Sequence, residues 1–217
     1  MWAGLRTANL SDRKITDVRR RIGALKKLVK EIFESGQVDF ALKDDTHDGK
    51  GVYGHPDGSS FNGLFKEGFF HGMGIFIWPD GSKYEGYWEK GLPSGEGVLT
   101  LADGSRYQGA WKEGEINGIG ILTLPDGSKY TGQWKNGSKN GNGVLTLPDG
   151  KKYDCEWEND MFHGKGTLTF PDGSMYEGKW KEDKFHGKGV LTLPDGSKHE
   201  GEWSGNKFKF LFKKGTR

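Results

Sequence analysis

The sequence predicts a mainly β protein, a stack of tandem antiparallel β-hairpins preceded by one amphipathic α-helix. Three observations carry that prediction. Asp-Gly recurs at Asp57, Asp80, Asp103, Asp126, Asp149, Asp172 and Asp195, always 23 residues apart and without an insertion. Units this small cannot bury an apolar face alone, so each must lean on its neighbours. Inside each unit, apolar or small residues alternate with polar ones, the period of a strand. Ahead of the repeats, between residues 11 and 35, apolar residues fall at spacings of three and four, the period of a helix.

Composition agrees with a thin β structure in which rings supply the burial. Of 217 residues, 33% are hydrophobic and 37 are glycine, against a usual glycine share of about 7%. The 8 Trp, 7 Tyr and 13 Phe set the chain apart from disordered compositions. A formal net charge of +2 argues against a nucleic-acid partner. The single Cys155 excludes an internal disulfide and offers no metal-ligand spacing. No apolar run approaches the ~18 residues of a membrane helix, and the N-terminal stretch lacks a signal peptide's apolar core. A cytoplasmic location is the expectation, with association to cytoskeleton or membrane left open.

Residues 1–46 are expected to hold the helix, about 11–35, and a capping strand, 38–43. Ser11 or Asp12 supplies the N-cap, and Gly36 follows the last turn. Ile15, Val18, Ile22, Leu25, Val29 and Ile32 form a seam of two and a half heptads. The other face is basic, with Arg13, Lys14, Arg19, Arg20, Arg21, Lys26, Lys27 and Lys30 against Asp12, Asp17, Glu31 and Glu34. Three roles fit. The seam packs on the array, or it pairs with a second copy, although its length is marginal for that alone. Alternatively, the basic face, with Arg19, Arg20, Arg21, Lys26 and Lys27, meets an anionic membrane or a calmodulin-type partner. Val38, Phe40 and Leu42 then alternate with Asp39, Ala41 and Lys43 in phase with the repeats, as a half-repeat strand would.

Residues 47–206 hold seven copies of the pattern G-x-G-V-L-T-L-P-D-G-S-K-Y-E-G-x-W-K-x-G. A two-residue Asp-Gly turn would pair Leu124 with Lys129 and mix apolar with charged residues on one face. A three-residue loop, Pro125-Asp126-Gly127, pairs Leu124 with Ser128 and puts Gly127 in the left-handed bulge position. That register places Gly118, Gly120, Leu122, Leu124, Tyr130, Gly132 and Trp134 on one face, the packing face. Ile121, Thr123, Lys129, Thr131, Gln133 and Lys135 take the other. The glycines leave room for the rings of adjacent hairpins. Residues 207–217 form a C-terminal capping strand and tail, in which Phe208, Phe210 and Phe212 alternate with Lys207, Lys209 and Leu211. A terminal strand of this kind blunts an open sheet edge.

The pattern resembles the MORN repeat, a 23-residue β-hairpin module, from Gly49 to about Asn206. The Gly-x-Gly, Asp-Gly-x-x-Tyr-x-Gly and Trp elements recur in phase. The departures are Cys155 at a glycine position, His199 at a tyrosine position, and Phe61 and Phe65 in the first copy. The resemblance implies an elongated, twisted, single-layer antiparallel sheet, whose fourteen strands at ~4.8 Å spacing would make a rod of roughly 65 Å. It also implies a protein-binding and oligomerising module. Such arrays occur beside lipid kinases, in membrane-junction proteins, in cytoskeletal or ciliary assemblies and in some methyltransferases. No kinase or methyltransferase domain accompanies this one.

A search for chemistry finds turn and surface residues. The seven aspartates sit in equivalent turns, roughly 10 Å apart, where turn chemistry accounts for them. His71, His163 and His186 precede Gly-x-Gly pairs, and the last two are one repeat apart, too far to share a zinc. Gly-x-Gly opens a strand rather than joining strand to helix, so it does not read as a phosphate cradle. Cys155 has no local base and reads as a buried, inert thiol. Lys83, Arg106, Lys129, Lys152 and Lys198, with Lys112, Lys135 and Lys181, form a stripe, but Glu85, Asp154, Glu177 and Glu200 interleave with it.

The expected function is a non-catalytic scaffold that binds a protein partner, a helix or extended peptide, through the array, with self-association as a further property and no cofactor. The first two copies depart most from the consensus, so Phe69, Phe70, Phe76, Trp78 and Trp88 are the partner-contact candidates. The alternative is a peripheral module for anionic phospholipids or phosphoinositides, using the basic helix and the tail residues Lys207, Lys209, Lys213, Lys214 and Arg217.

Overall fold

The alternation of small or apolar with polar residues produces strands throughout the computed structural model, which describes residues 48–205 and 207–210. The helix over 11–35 and the strand over 38–43 lie outside the described residues. The first of two compact units contains β1 (Gly49–Gly54), β2 (Ser60–Lys66), β3 (Phe69–Ile77), β4 (Lys83–Glu89), β5 (Leu92–Thr100), β6 (Arg106–Lys112) and β7 (Glu115–Thr123). Most of β8 (Lys129–Lys135) belongs to the second unit. That unit continues with β9 (Ser138–Thr146), β10 (Lys152–Glu158), β11 (Met161–Thr169), β12 (Met175–Lys181), β13 (Lys184–Thr192), β14 (Lys198–Ser204) and β15 (Lys207–Phe210). Strand order in the open antiparallel sheet follows sequence order.

Two kinds of turn alternate, and each follows from its residues. After every long strand comes the three-residue loop. Leu101 donates its N–H to the Ser105 carbonyl at 2.8 Å, and Gly104 donates to the Leu101 carbonyl at 2.9 Å. The same pair of bonds recurs at His55, Trp78, Leu147, Phe170 and Leu193. The glycine of each loop has φ between 81° and 91°, the left-handed conformation that a glycine tolerates without strain. Each aspartate Oδ1 accepts the N–H two residues on, for example from Ser82 to Asp80 at 2.9 Å and from Ser105 to Asp103 at 2.8 Å. This closes an Asx turn.

After β2, β4, β6, β8, β10 and β12 comes a two-residue turn that the sequence reading did not anticipate. Both of its residues have positive φ, as at Glu113 (49°) and Gly114 (76°), or Asn159 (50°) and Asp160 (71°). That is the type I′ geometry whose twist matches paired strands. The second turn residue also donates its N–H to the preceding repeat, from Gly114 to the Pro93 carbonyl at 2.8 Å and from Asp160 to the Lys139 carbonyl at 3.0 Å. Successive repeats are therefore stitched by backbone at this turn.

One sequence-based boundary needs correction. Gly-x-Gly opens β1 but lies inside the strand in the other six copies. The long strands begin three residues earlier, at Phe69, Leu92, Glu115, Ser138, Met161 and Lys184. The first glycine of each pair, with φ of 57° at Gly72 and 71° at Gly95, sits at a bulge where the ladder to the preceding strand slips. Early strand starts place Phe70, Ile116, Lys139, Phe162 and Phe185 in the core, a column absent from the sequence-based packing face. At the C-terminal end, β15 pairs with β14 as Trp203 to Phe208 and Gly201 to Phe210, so the capping strand is present over Lys207–Phe210.

Packing on the inner face answers why glycine recurs. Gly63, Gly74, Gly86, Gly97, Gly109 and Gly120 are cross-strand partners in a row. A Cβ on Gly97 or Gly120 would come within 2.2 Å of the Tyr84 or Tyr107 hydroxyl oxygen. Those rings lie in the space the glycines vacate, and their hydroxyls donate to the Tyr87 and Ala110 carbonyls at 3.2 and 3.1 Å. Tryptophans meet the tyrosines edge-on, as Tyr84 and Trp111 do at 5.1 Å and 83°, the arrangement favoured by ring quadrupoles. Cys155 interrupts the row. Its Sγ lies 2.3 Å from where a Gly166 Cβ would be, and Tyr153 stacks flat on Phe162 instead, at 4.6 Å and 16°.

Candidate interaction surface

The strand period divides the side chains into two faces with different fates. The inner face is consumed by packing. Phe70, Phe76 and Trp88, named above as partner contacts, are 1%, 0% and 2% exposed. Phe70 stacks on Phe61 at 3.9 Å and meets Trp88 edge-on at 5.4 Å. The Trp88 Nε1–H donates to the Gly74 carbonyl at 3.2 Å. Core packing accounts for all three. Phe69 and Trp78 are half-buried, and Trp78 packs against Phe76 at 4.9 Å. The lipid candidates Arg19, Arg20, Arg21, Lys26 and Lys27, and the self-association seam, lie outside the described residues.

The outer face is open, and its character differs between the units. In the first unit Val52, Met73, Ile75, Ile77, Tyr87 and Ile119 are exposed. Met73 and Tyr87 are direct cross-strand partners, as are Lys50 and Leu64. The sequence reading overlooked this surface because it ranked positions by ring size rather than by face. Aligning the 23-residue columns by face would have found it. In the second unit the same columns carry charge: Lys165 pairs with Lys179, and Lys188 with Glu202.

On the second unit the outer face carries a groove of ≈ 630 Å³. Backbone at Gly166, Gly178 and Gly189 forms part of its floor, since any side chain at those positions would point to the opposite, inner face. Its walls carry both signs, with Asp154, Glu156 and Glu177 as well as Lys165, Lys179 and Lys188. Glu156 reaches back across the bulge, its Oε1 accepting the Lys165 N–H at 3.2 Å. An equivalent reach is made by Gln133 to Asn142 at 3.0 Å. Such a surface offers polar side chains and accessible backbone to an extended ligand.

The other chemistry-bearing residues sit in structural roles. Burial first, and then the Asp154 carboxylate, push the Cys155 thiol up to about 12. Such a group stays protonated at neutral pH, in keeping with an inert thiol. His163 Nδ1 lies 3.2 Å from Glu158 Oε2 at the surface. Lys139 is buried at 1% exposure with Nζ 4.2 Å from the Trp157 ring centroid, a cation–π contact. Among the described residues no group of three His, Cys, Asp or Glu is placed to hold a metal ion, and no helix is long and apolar enough to cross a membrane.

Comparison with curated proteins finds no match. Among solved structures, the chain is similar to the TCP domain of SAS-4 (dCPAP) from Drosophila melanogaster, in complex with a proline-rich motif of Ana2 (dSTIL). Identity is 16% and TM-score 0.47, over 73% of this chain and 86% of that one. It is also similar to the TCP10 domain of Danio rerio CPAP, in complex with a peptide of Danio rerio STIL. Identity there is 12% and TM-score 0.47, over 76% and 73% of the two chains. The model of the MORN repeat matches residues 42–60, 61–83, 84–106, 107–129, 130–152, 153–175 and 176–198, well over half the sequence. With the hairpin register, the glycine row and the ring ladder all in phase with those matches, the chain belongs to the MORN-repeat family.

Proposed function

We propose that this chain is a non-catalytic scaffold that holds a protein partner, an extended peptide, in the outer-face groove of its second unit. The observation that supports this reading is the division of labour between faces. Packing consumes the inner face, while the outer face keeps a groove with backbone in its floor and side chains of both charges in its walls. Extended peptides use such sites by combining main-chain contacts with alternate side-chain contacts. Fixed charges of both signs select a complementary sequence and exclude like-charged ones.

Affinity capture with three forms of the protein tests the reading: the intact chain, a groove variant carrying Glu177→Lys and Lys188→Glu, and Phe69→Ala with Trp78→Ala. A partner lost only with the groove variant, at unchanged thermal stability, supports the site. A partner retained by the groove variant and lost with the Phe69 and Trp78 pair moves the contact to the first copies. Anionic phospholipid binding has less support among the described residues, where carboxylates neutralise the basic stripe. Lys83 Nζ, for example, lies 2.5 Å from Glu85 Oε2.

A further inference from the structure

Among the described residues, exposed apolar side chains gather on the outer face of β1–β4, and Ile119 on β7 extends the set. Leu64, Met73, Ile75, Ile77 and Tyr87 share that face with Val52, and four of these are between 39% and 53% exposed. The protein solves the same surface differently elsewhere. In the columns of Met73, Ile75 and Tyr87, the copy four repeats on carries Lys165, Thr167 and Lys179, although the Ile75 column keeps valine or isoleucine at Val98, Ile121, Val144 and Val190. A solvated outer face is thus compatible with this fold and present in this very chain, so the apolar version marks a contact.

We propose that the occupant is the chain's own segment 11–35, docked in cis through Ile15, Val18, Ile22, Leu25, Val29 and Ile32. Three observations select it. Its apolar stripe from Ile15 to Ile32, as a helix, is roughly 26 Å long at ~1.5 Å per residue. From Val52 on β1 to Ile119 on β7 is six strand spacings, roughly 29 Å, with Val98 and Ala110 half-buried between. The connection is also permissive, because residues 36–48 can span up to roughly 40 Å before β1 begins. Finally, the patch lies on the strands nearest that segment in sequence, with the exposed Glu96 inside it to meet the segment's basic flank. The docking is independent of the partner groove, which lies on other strands.

Two measurements on the full chain test this. A photoreactive phenylalanine analogue in place of Tyr87 is expected to cross-link within the monomer to peptides from residues 15–32. Cross-linking to a second copy, or no cross-link to that segment, would overturn the proposal. Second, trypsin should cut at Arg19–Arg21 and Lys26–Lys27 slowly in the intact chain. It should cut several-fold faster in a variant carrying Met73→Lys, Ile75→Thr and Tyr87→Lys, as local protection is lost. These substitutions copy residues the later repeats already use, and thermal unfolding checks that the array is intact. Equal cutting rates in the two proteins, or protection that grows with protein concentration, would sink the cis docking. Failure here leaves the groove reading untouched, since the groove is read by partner capture.

Discussion

A single column of glycines sets the tolerance of the inner face. Gly97 has ordinary backbone geometry, so Gly97→Ala fails for one reason, the Tyr84 hydroxyl 2.2 Å from the new Cβ. Overpacking of this kind costs about 1–3 kcal/mol, readable as a lowered denaturation midpoint at unchanged slope. Phe70→Ala removes a ring that is 1% exposed and should cost about 3–5 kcal/mol. Partner capture by that variant would then report unfolding, not loss of a contact. Tyrosine ionisation gives a second readout. Burial raises the phenols of Tyr84, Tyr130, Tyr153 and Tyr176, that of Tyr153 to about 12. Their folded pKa lies above the unfolded value, so their contribution is complete below the ordinary phenol range and lost as pH rises through the folded value. Absorbance at alkaline pH should therefore show delayed phenolate formation, coincident with loss of near-ultraviolet dichroism. Early phenolate signals from a folded protein would contradict the packing. The turn carboxylates have the opposite sign. Hydrogen bonds from Lys151, Ser174 and Ser197 hold Asp149, Asp172 and Asp195 low. Their part in stability persists above the ordinary carboxylate range and fades as pH falls through the lowered values.

At the scale of the element, the hairpin was legible in the sequence and the inter-repeat joint was not. Pro-Asp-Gly names its own turn, because proline and glycine each meet a dihedral requirement and aspartate supplies the acceptor. The type I′ joint ends in glycine at Gly68, Gly91, Gly114 and Gly137 but in aspartate at Asp160 and Asp183, so its spelling is less regular than that of the Pro-Asp-Gly loop. Its residues take positive φ because the neighbouring strands demand that twist, with Asp183 helping by accepting the Phe162 N–H through Oδ1 at 2.8 Å. The site was legible to the same partial degree. Large rings drew attention to Phe70 and Trp88, yet ring size says nothing about which face a ring occupies. Only the register did that, and it turned attention to Met73 and Tyr87. The terminal strand carries its own test. Deleting residues 207–217 bares the unpaired edge of β14, and exposed edges recruit other chains. Light scattering should show concentration-dependent association in the truncated protein. A stable monomer would show that β15 has no protective part.

Among the described residues, strand pairing runs between neighbours in sequence order, so the stability of the array should be close to a sum of local terms. Excising one complete copy, residues 84–106, joins Lys83 to Tyr107 and keeps the Tyr-to-Tyr phase. The shortened protein is expected to fold, with unchanged dichroism per residue and a lower melting temperature. Collapse of the whole array would show that cooperativity extends beyond nearest neighbours. What the sequence determined by itself was the repeat length, the loop turn and the faces of the residues flanking that loop, since each follows from dihedral preference and a period of two. What the tertiary structure decided was which residues remain free for recognition. Burial depends on what lies across the strand ladder, and identical spacing serves a core phenylalanine at Phe76 and an exposed isoleucine at Ile75 one residue apart.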